Sequence, residues 1–81
     1  MKINVLLFAS LKDIAGKGQL EFEVADNCSV EDLSKKLYEL YPKVESFDSS
    51  IRIALNQEFV EGDIELKDGD EVAYLPPVSG G

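Results

Sequence analysis

The sequence predicts an α+β fold, a small mixed sheet packed on one long helix, on three observations. Apolar residues alternate with polar ones in several short segments, they recur at helical spacing in one segment, and 81 residues leave room for a single core. With 44% hydrophobic and 9% aromatic residues, the chain lies well outside the disordered class. The elements read in the order ββαβββ, with no internal repeat and no interdomain linker.

Residues 2–9 (KINVLLFA) are rich in β-formers and too short for a buried helix, which makes them the first strand. Residues 10–16 read as a helical turn. In residues 19–25 (QLEFEVA), Leu20, Phe22 and Val24 alternate with Glu21 and Glu23, a strand with one wet face that pairs with the first as a hairpin. Ser29 stands where a helix N-cap accepts a free amide, and Asp32 in the first turn complements the dipole. Val30, Leu33, Leu37, Leu40 and Tyr41 then fall on one helical stripe, and Pro42 ends it. Cys28, just before the cap, is placed to pack on Leu33. After a polar stretch, 43–50, residues 51–55 (IRIAL) alternate again, Asn56-Gln57 reads as a tight turn, and 58–60 return as a short strand. Asp68-Gly69-Asp70 is a second turn. It leads into the last strand, 71–75, which Pro76-Pro77 end because they lack amide hydrogens for a ladder.

Sixteen acidic against eight basic residues give a net charge of −8, of which residues 42–81 carry −6. Such a surface repels phosphate backbones and anionic lipid and attracts basic protein surfaces, so neither nucleic acid nor membrane is expected as a partner. The same charge also keeps a small domain soluble. With no His and one Cys, the chain supplies no Ser/His/Asp or Cys/His pair and no internal disulfide. Seven acids in 58–71 invite a calcium loop, but the spacing fails: counting back from Gly69 or Gly62, Ile64 or Phe59 falls on a ligand position. No metal site is expected. Asn4 interrupts the apolar start and Lys12 and Asp13 follow too soon for a signal peptide, so a cytoplasmic location is expected.

One helix covers one face of the sheet, and the other face should be polar unless it has a task. In the first strand Ile3, Val5 and Leu7 share a face with Ala9, while Leu6 and Phe8 point where Lys2 and Asn4 point. In the last strand Leu75 keeps company with Glu71. Leu6, Phe8 and Leu75, together with Phe59, therefore form an outward apolar cluster, the candidate partner interface.

The chain divides into a folded part, residues 1–75, and an extended tail, residues 76–81 (PPVSGG). The tail spans on the order of 20 Å if extended. Pro76 and Pro77 stiffen its root, while Gly80 and Gly81 remove every side chain from its tip. Such an end is either a frayed terminus or an arm that enters a channel admitting backbone alone.

The residues Val5-Leu6-Leu7-Phe8-Ala9, Ala54-Leu55-Asn56-Gln57, Asp68-Gly69-Asp70-Glu71-Val72-Ala73 and the terminal PPVSGG carry a resemblance along nearly the whole chain. The sequence resembles the molybdopterin synthase small-subunit family, sulfur carriers of the MoaD/ThiS group within the ubiquitin-like β-grasp superfamily. A bare Gly-Gly end is shared widely among ubiquitin-like proteins; DGDEVA with an aromatic and PPVSGG behind it is far more specific. The family often has a second aromatic where this chain has Leu75.

The resemblance implies that Gly81 is the reactive residue. An ubiquitin-activating-like adenylyltransferase would join its carboxylate to AMP using ATP, a sulfur donor protein would displace the AMP, and the resulting thiocarboxylate would deliver sulfur inside the synthase large subunit. Pro77, Val78, Ser79 and Gly80 would thread the channel. Two deliveries would convert the pyranopterin precursor to the dithiolene. The chain would then be a cosubstrate arm that is not catalytic alone and binds no cofactor itself. A sulfur carrier for thiamine or another acceptor, an ubiquitin-like modifier joined to lysines through Gly81, and a binding module without covalent chemistry are the alternatives.

Overall fold

The computed structural model describes residues 1–77. Five strands, β1 (Lys2–Leu7), β2 (Gln19–Glu23), β3 (Arg52–Leu55), β4 (Glu58–Val60) and β5 (Glu71–Leu75), form one sheet in the order β2-β1-β5-β3-β4. β1 pairs with β2 antiparallel, as expected, and with β5 parallel; β3 runs antiparallel to both β5 and β4. The helices are α1 (Ala9–Ala15), α2 (Val30–Leu40) and α3 (Pro42–Glu45), with a 3₁₀ turn at Asp48–Ser50. A mixed sheet with its parallel pair at the centre and one long helix on one face is the ubiquitin-like β-grasp arrangement.

The capping signal is realised in full. Ser29 Oγ accepts the Asp32 amide at 3.2 Å and an Asp32 carboxylate oxygen accepts the Ser29 amide at 3.2 Å, so two otherwise free donors of α2 are satisfied. Val30, Leu33 and Leu37 are buried from this helix, as the stripe predicts, and Cys28 lies in the same cluster. Leu40 does not join them: it is 61% exposed. At 3.6 residues per turn it lies only about 20° from the buried Leu33, so its place on the stripe does not expose it; Leu40 is the last residue of α2. There it borders Glu21, Phe22 and Glu23 of the edge strand.

Ser34 is buried without cost to its hydroxyl, which donates to the Val30 carbonyl at 2.9 Å. Its one proton thus engaged, it accepts the Tyr74 hydroxyl at 2.8 Å. Ile3, Val5 and Leu7 of β1 and Val72 and Tyr74 of β5 fill the layer beneath α2, each at most 1% exposed. Burial pushes the Tyr74 phenol well above its ordinary range, and burial together with the hydrogen bond to Asp48 does the same for Tyr38. Unfolded, both ionise near pH 10; folded, they hold their protons longer. Their contribution to stability is therefore whole below about pH 10 and falls as pH climbs beyond it. The melting temperature should drop more steeply above that pH in the wild type than in Tyr38→Phe, and equal slopes would show that Tyr38 titrates alike in both states.

The polar stretch after Pro42 is not structureless. Pro42 ends α2 and opens α3 at a position where its missing amide is not needed, Val44 is fully buried, and Phe47 is half-buried. The two turns are as read. Asn56 and Gln57 both have positive φ, 50° and 73°, the twist that matches a two-residue hairpin. Gln pays for that conformation where Gly does not, so Gln57→Gly should raise stability by about 0.5–1 kcal/mol, measured by denaturant midpoint; an unchanged or lowered midpoint would contradict the assignment. Gly69 has φ 85° and donates its amide to the Lys2 carbonyl at 2.8 Å, joining the second turn to β1.

The acidic run of 58–71 works locally. Asp63 accepts the Glu31 amide at 2.9 Å, Asp68 the Lys2 amide at 2.8 Å, and Asp70 the Lys67 amide at 2.8 Å. Asp70 also accepts the Asn56 side-chain amide at 3.0 Å, and the Asn56 side-chain oxygen Oδ1 accepts the Glu71 backbone amide at 3.0 Å, a clip between the two turns. Among the described residues no helix is long and apolar enough to cross a membrane.

Candidate functional site: the outer sheet face and the root of the tail

Cross-strand partners share a face of the sheet, so the register sorts the outer side chains into rows. Leu6 stands opposite Gln19 and Ala73, Ala73 opposite Ala54, and Ala54 opposite Phe59, one row across all five strands. The next row towards the tail holds Leu75 opposite Arg52. The row on the other side holds Glu21, Asn4 and Glu71. The outer face is thus acidic at one end and apolar at the end where β5 runs into Pro76. Ala54 is buried yet belongs to this face and not to the cluster beneath α2.

Leu6 and Leu75 are half-buried, and Phe59 is 57% exposed on the edge strand. The Arg52 guanidinium lies over the Phe59 ring, 4.0 Å from its centroid. Phe8 reaches the surface by another route than strand alternation. β1 ends at Leu7, two residues earlier than the expected bounds, and Phe8 is the N-cap of α1 with extended backbone, followed by Ala9 at φ 50°. That left-handed residue costs about 1–2 kcal/mol and turns the chain sharply from strand to helix. Phe8, 44% exposed, then lines a groove of about 640 Å³ with Ala9, Ser10, Phe47, Leu75, Pro76 and Pro77.

All four interface candidates therefore stand on or beside one face, in two groups: Leu6 and Phe59 in the long row, Phe8 and Leu75 in the groove at the tail root. Pro77 lies at the groove's end; Val78, Ser79, Gly80 and Gly81 lie outside the described residues. Sequence reasoning missed Arg52, Ala54, Ala73 and Phe47. A signal for Phe47 was present: Val44 and Phe47 lie three apart just after a Pro at a helix start.

Cys28 is buried, its Sγ 3.5 Å from the Ser29 carbonyl oxygen, and burial followed by the Asp32 charge raises its pKa. Both effects suppress the thiolate, so the only sulfur of a cysteine in this chain is a packing group.

The chain is 42% identical over 83 residues to the molybdopterin synthase sulfur carrier subunit of Chlamydomonas reinhardtii, covering 100% of both. Its fold superimposes on the small archaeal modifier protein 1 from Methanosarcina acetivorans with a TM-score of 0.84 at 32% identity, covering 99% of this chain and 96% of that one. It also matches a chain in the protein–protein complex of subunits 1 and 2 of molybdopterin-converting factor from Helicobacter pylori, with a TM-score of 0.75, 28% identity and 100% of both chains covered. Residues 5–81 match the model of the ThiS family, and the chain belongs to that family.

Proposed function

We propose that this chain is a molybdopterin synthase sulfur carrier whose C-terminal Gly81 bears the sulfur as a thiocarboxylate. The observation that carries this reading is the convergence of an apolar surface, formed by Leu6, Phe8 and Leu75, on the point where the tail leaves the sheet. Family membership and the relatives' names supply the chemistry it serves.

A carboxylate resists acyl transfer because its charge and resonance oppose attack. Adenylation by an activating enzyme with ATP removes that obstacle, and sulfur from a donor protein then displaces AMP. The thiocarboxylate is ionised at neutral pH and a soft nucleophile. This chain contributes a narrow, side-chain-free end and a docking face; the catalytic groups and the cations for the substrate phosphate belong to the large subunit. Gly81 thiocarboxylate mixed with a cognate large subunit and the pyranopterin precursor should yield molybdopterin and return a plain carboxylate, read by intact mass.

A second reading is favoured by the likeness to the small archaeal modifier protein: joining of Gly81 to lysines of other proteins. The activation step is common to both. Abundant isopeptide adducts in native lysates, together with no molybdopterin in the reconstituted reaction, would replace the first reading with the second.

A further inference from the structure

Arg52 is the only arginine of the chain and stands in its most acidic half. Register places it on the outer face, opposite Leu75 and next to the row formed by Leu6, Ala73, Ala54 and Phe59. Among the described residues no carboxylate forms an ion pair with it. Its guanidinium lies over the Phe59 ring, at 4.0 Å, which attracts the cation and restricts its side chain but accepts none of its N–H donors as a carboxylate would.

A protein that covers the apolar end of this face also removes water from Arg52. Burying a guanidinium costs several kcal/mol unless an acceptor replaces the water, and the acceptor matching its planar fork is a carboxylate. The surrounding charge sharpens the choice. Residues 42–81 carry −6, so a broadly acidic partner is repelled, and a single acid set among apolar and basic groups is accepted only where Arg52 meets it. We infer that Arg52, held by Phe59, is a specificity determinant that receives an aspartate or glutamate of the partner protein covering this face. The inference rests on the proposed docking of this face to the large subunit.

The test is calorimetric titration of the full chain with a cognate large subunit, with thermal melts of every variant. Arg52→Met should weaken binding about 30-fold, because it strands the partner's acid. Arg52→Lys, which keeps the charge and loses the fork, should weaken it about 5-fold. Melting temperatures should stay within a few degrees, since Arg52 is exposed. Arg52→Glu should bind worst and be rescued when one large-subunit acid is changed to Arg. If Arg52→Met and Arg52→Glu bind within twofold of wild type while Leu75→Arg loses binding, the face docks but the arginine stays wet, and the inference is overturned. Lost binding of Arg52→Glu that no large-subunit acid-to-Arg change rescues overturns the carboxylate. If Leu75→Arg also binds normally, the docking reading itself fails and takes the inference with it.

Discussion

Deleting Gly81, or extending the chain beyond it, is expected to abolish thiocarboxylate formation while leaving the melting temperature unchanged. β5 ends at Leu75, and the last member of the core cluster is Tyr74, so the change falls seven residues beyond the packed interior. The chemistry is far less tolerant than the fold. Removing one residue draws the terminal carboxylate back by about 3.5 Å, where a misplacement of 1 Å already costs on the order of 100-fold in rate. Extending the chain converts the Gly81 carboxylate into an amide and leaves no acid at that depth. Incubation with the activating enzyme, ATP and a sulfur source, followed by intact mass, reads the outcome directly. Full conversion of a chain lacking Gly81 would remove Gly81 from the mechanism.

What could be read along the chain was local. The capping box of α2 is written in Ser29 and Asp32, the hairpin turn in Asn56, and the end of β5 in two prolines, because each acts within a few residues of itself. Alternation likewise assigned Leu6 and Leu75 to the outer face, since a strand's parity needs no knowledge of its neighbours. Strand order does need it. Nothing in β1 or β5 taken alone shows that they lie side by side and parallel, so the row from Leu6 through Ala73 and Ala54 to Phe59 was not legible, nor was the stacking of Arg52 on Phe59. Alanines carry no surface signal until register places them between larger residues. Val44, Phe47 and Leu66 escaped for a related reason. They are buried or half-buried from short helical and irregular segments, where a single pair three apart, as Val44 and Phe47, is too short a pattern to mark a face. Leu40 is the converse, an apolar residue at helical spacing left exposed at the last position of α2.

Replacing Leu75 or Phe8 by Arg should weaken binding to the large subunit about 1,000-fold, roughly 4 kcal/mol, while lowering domain stability by only about 1 kcal/mol. The two quantities separate because the outer face is wet in the free domain. Phe8 is 44% exposed and anchored by the start of α1, so an arginine there extends into water. Leu75 is half-buried, at the end of β5 where the sheet gives way to Pro76, and a long side chain can swing its charge clear of the groove. In the complex that freedom is gone. The groove they share with Phe47, Pro76 and Pro77 is the root from which the tail departs, so a large subunit that receives the tail must close over it. A second cation there lies one strand from Arg52 and finds no acid prepared for it. A melt and a titration on the same preparation distinguish this from loss of the core: the expected result is a melting temperature lowered by about 4–8 °C with nearly all binding lost. Collapse of thermal unfolding with unaltered affinity in the folded fraction would assign Phe8 and Leu75 to the interior and leave the docking face without its centre.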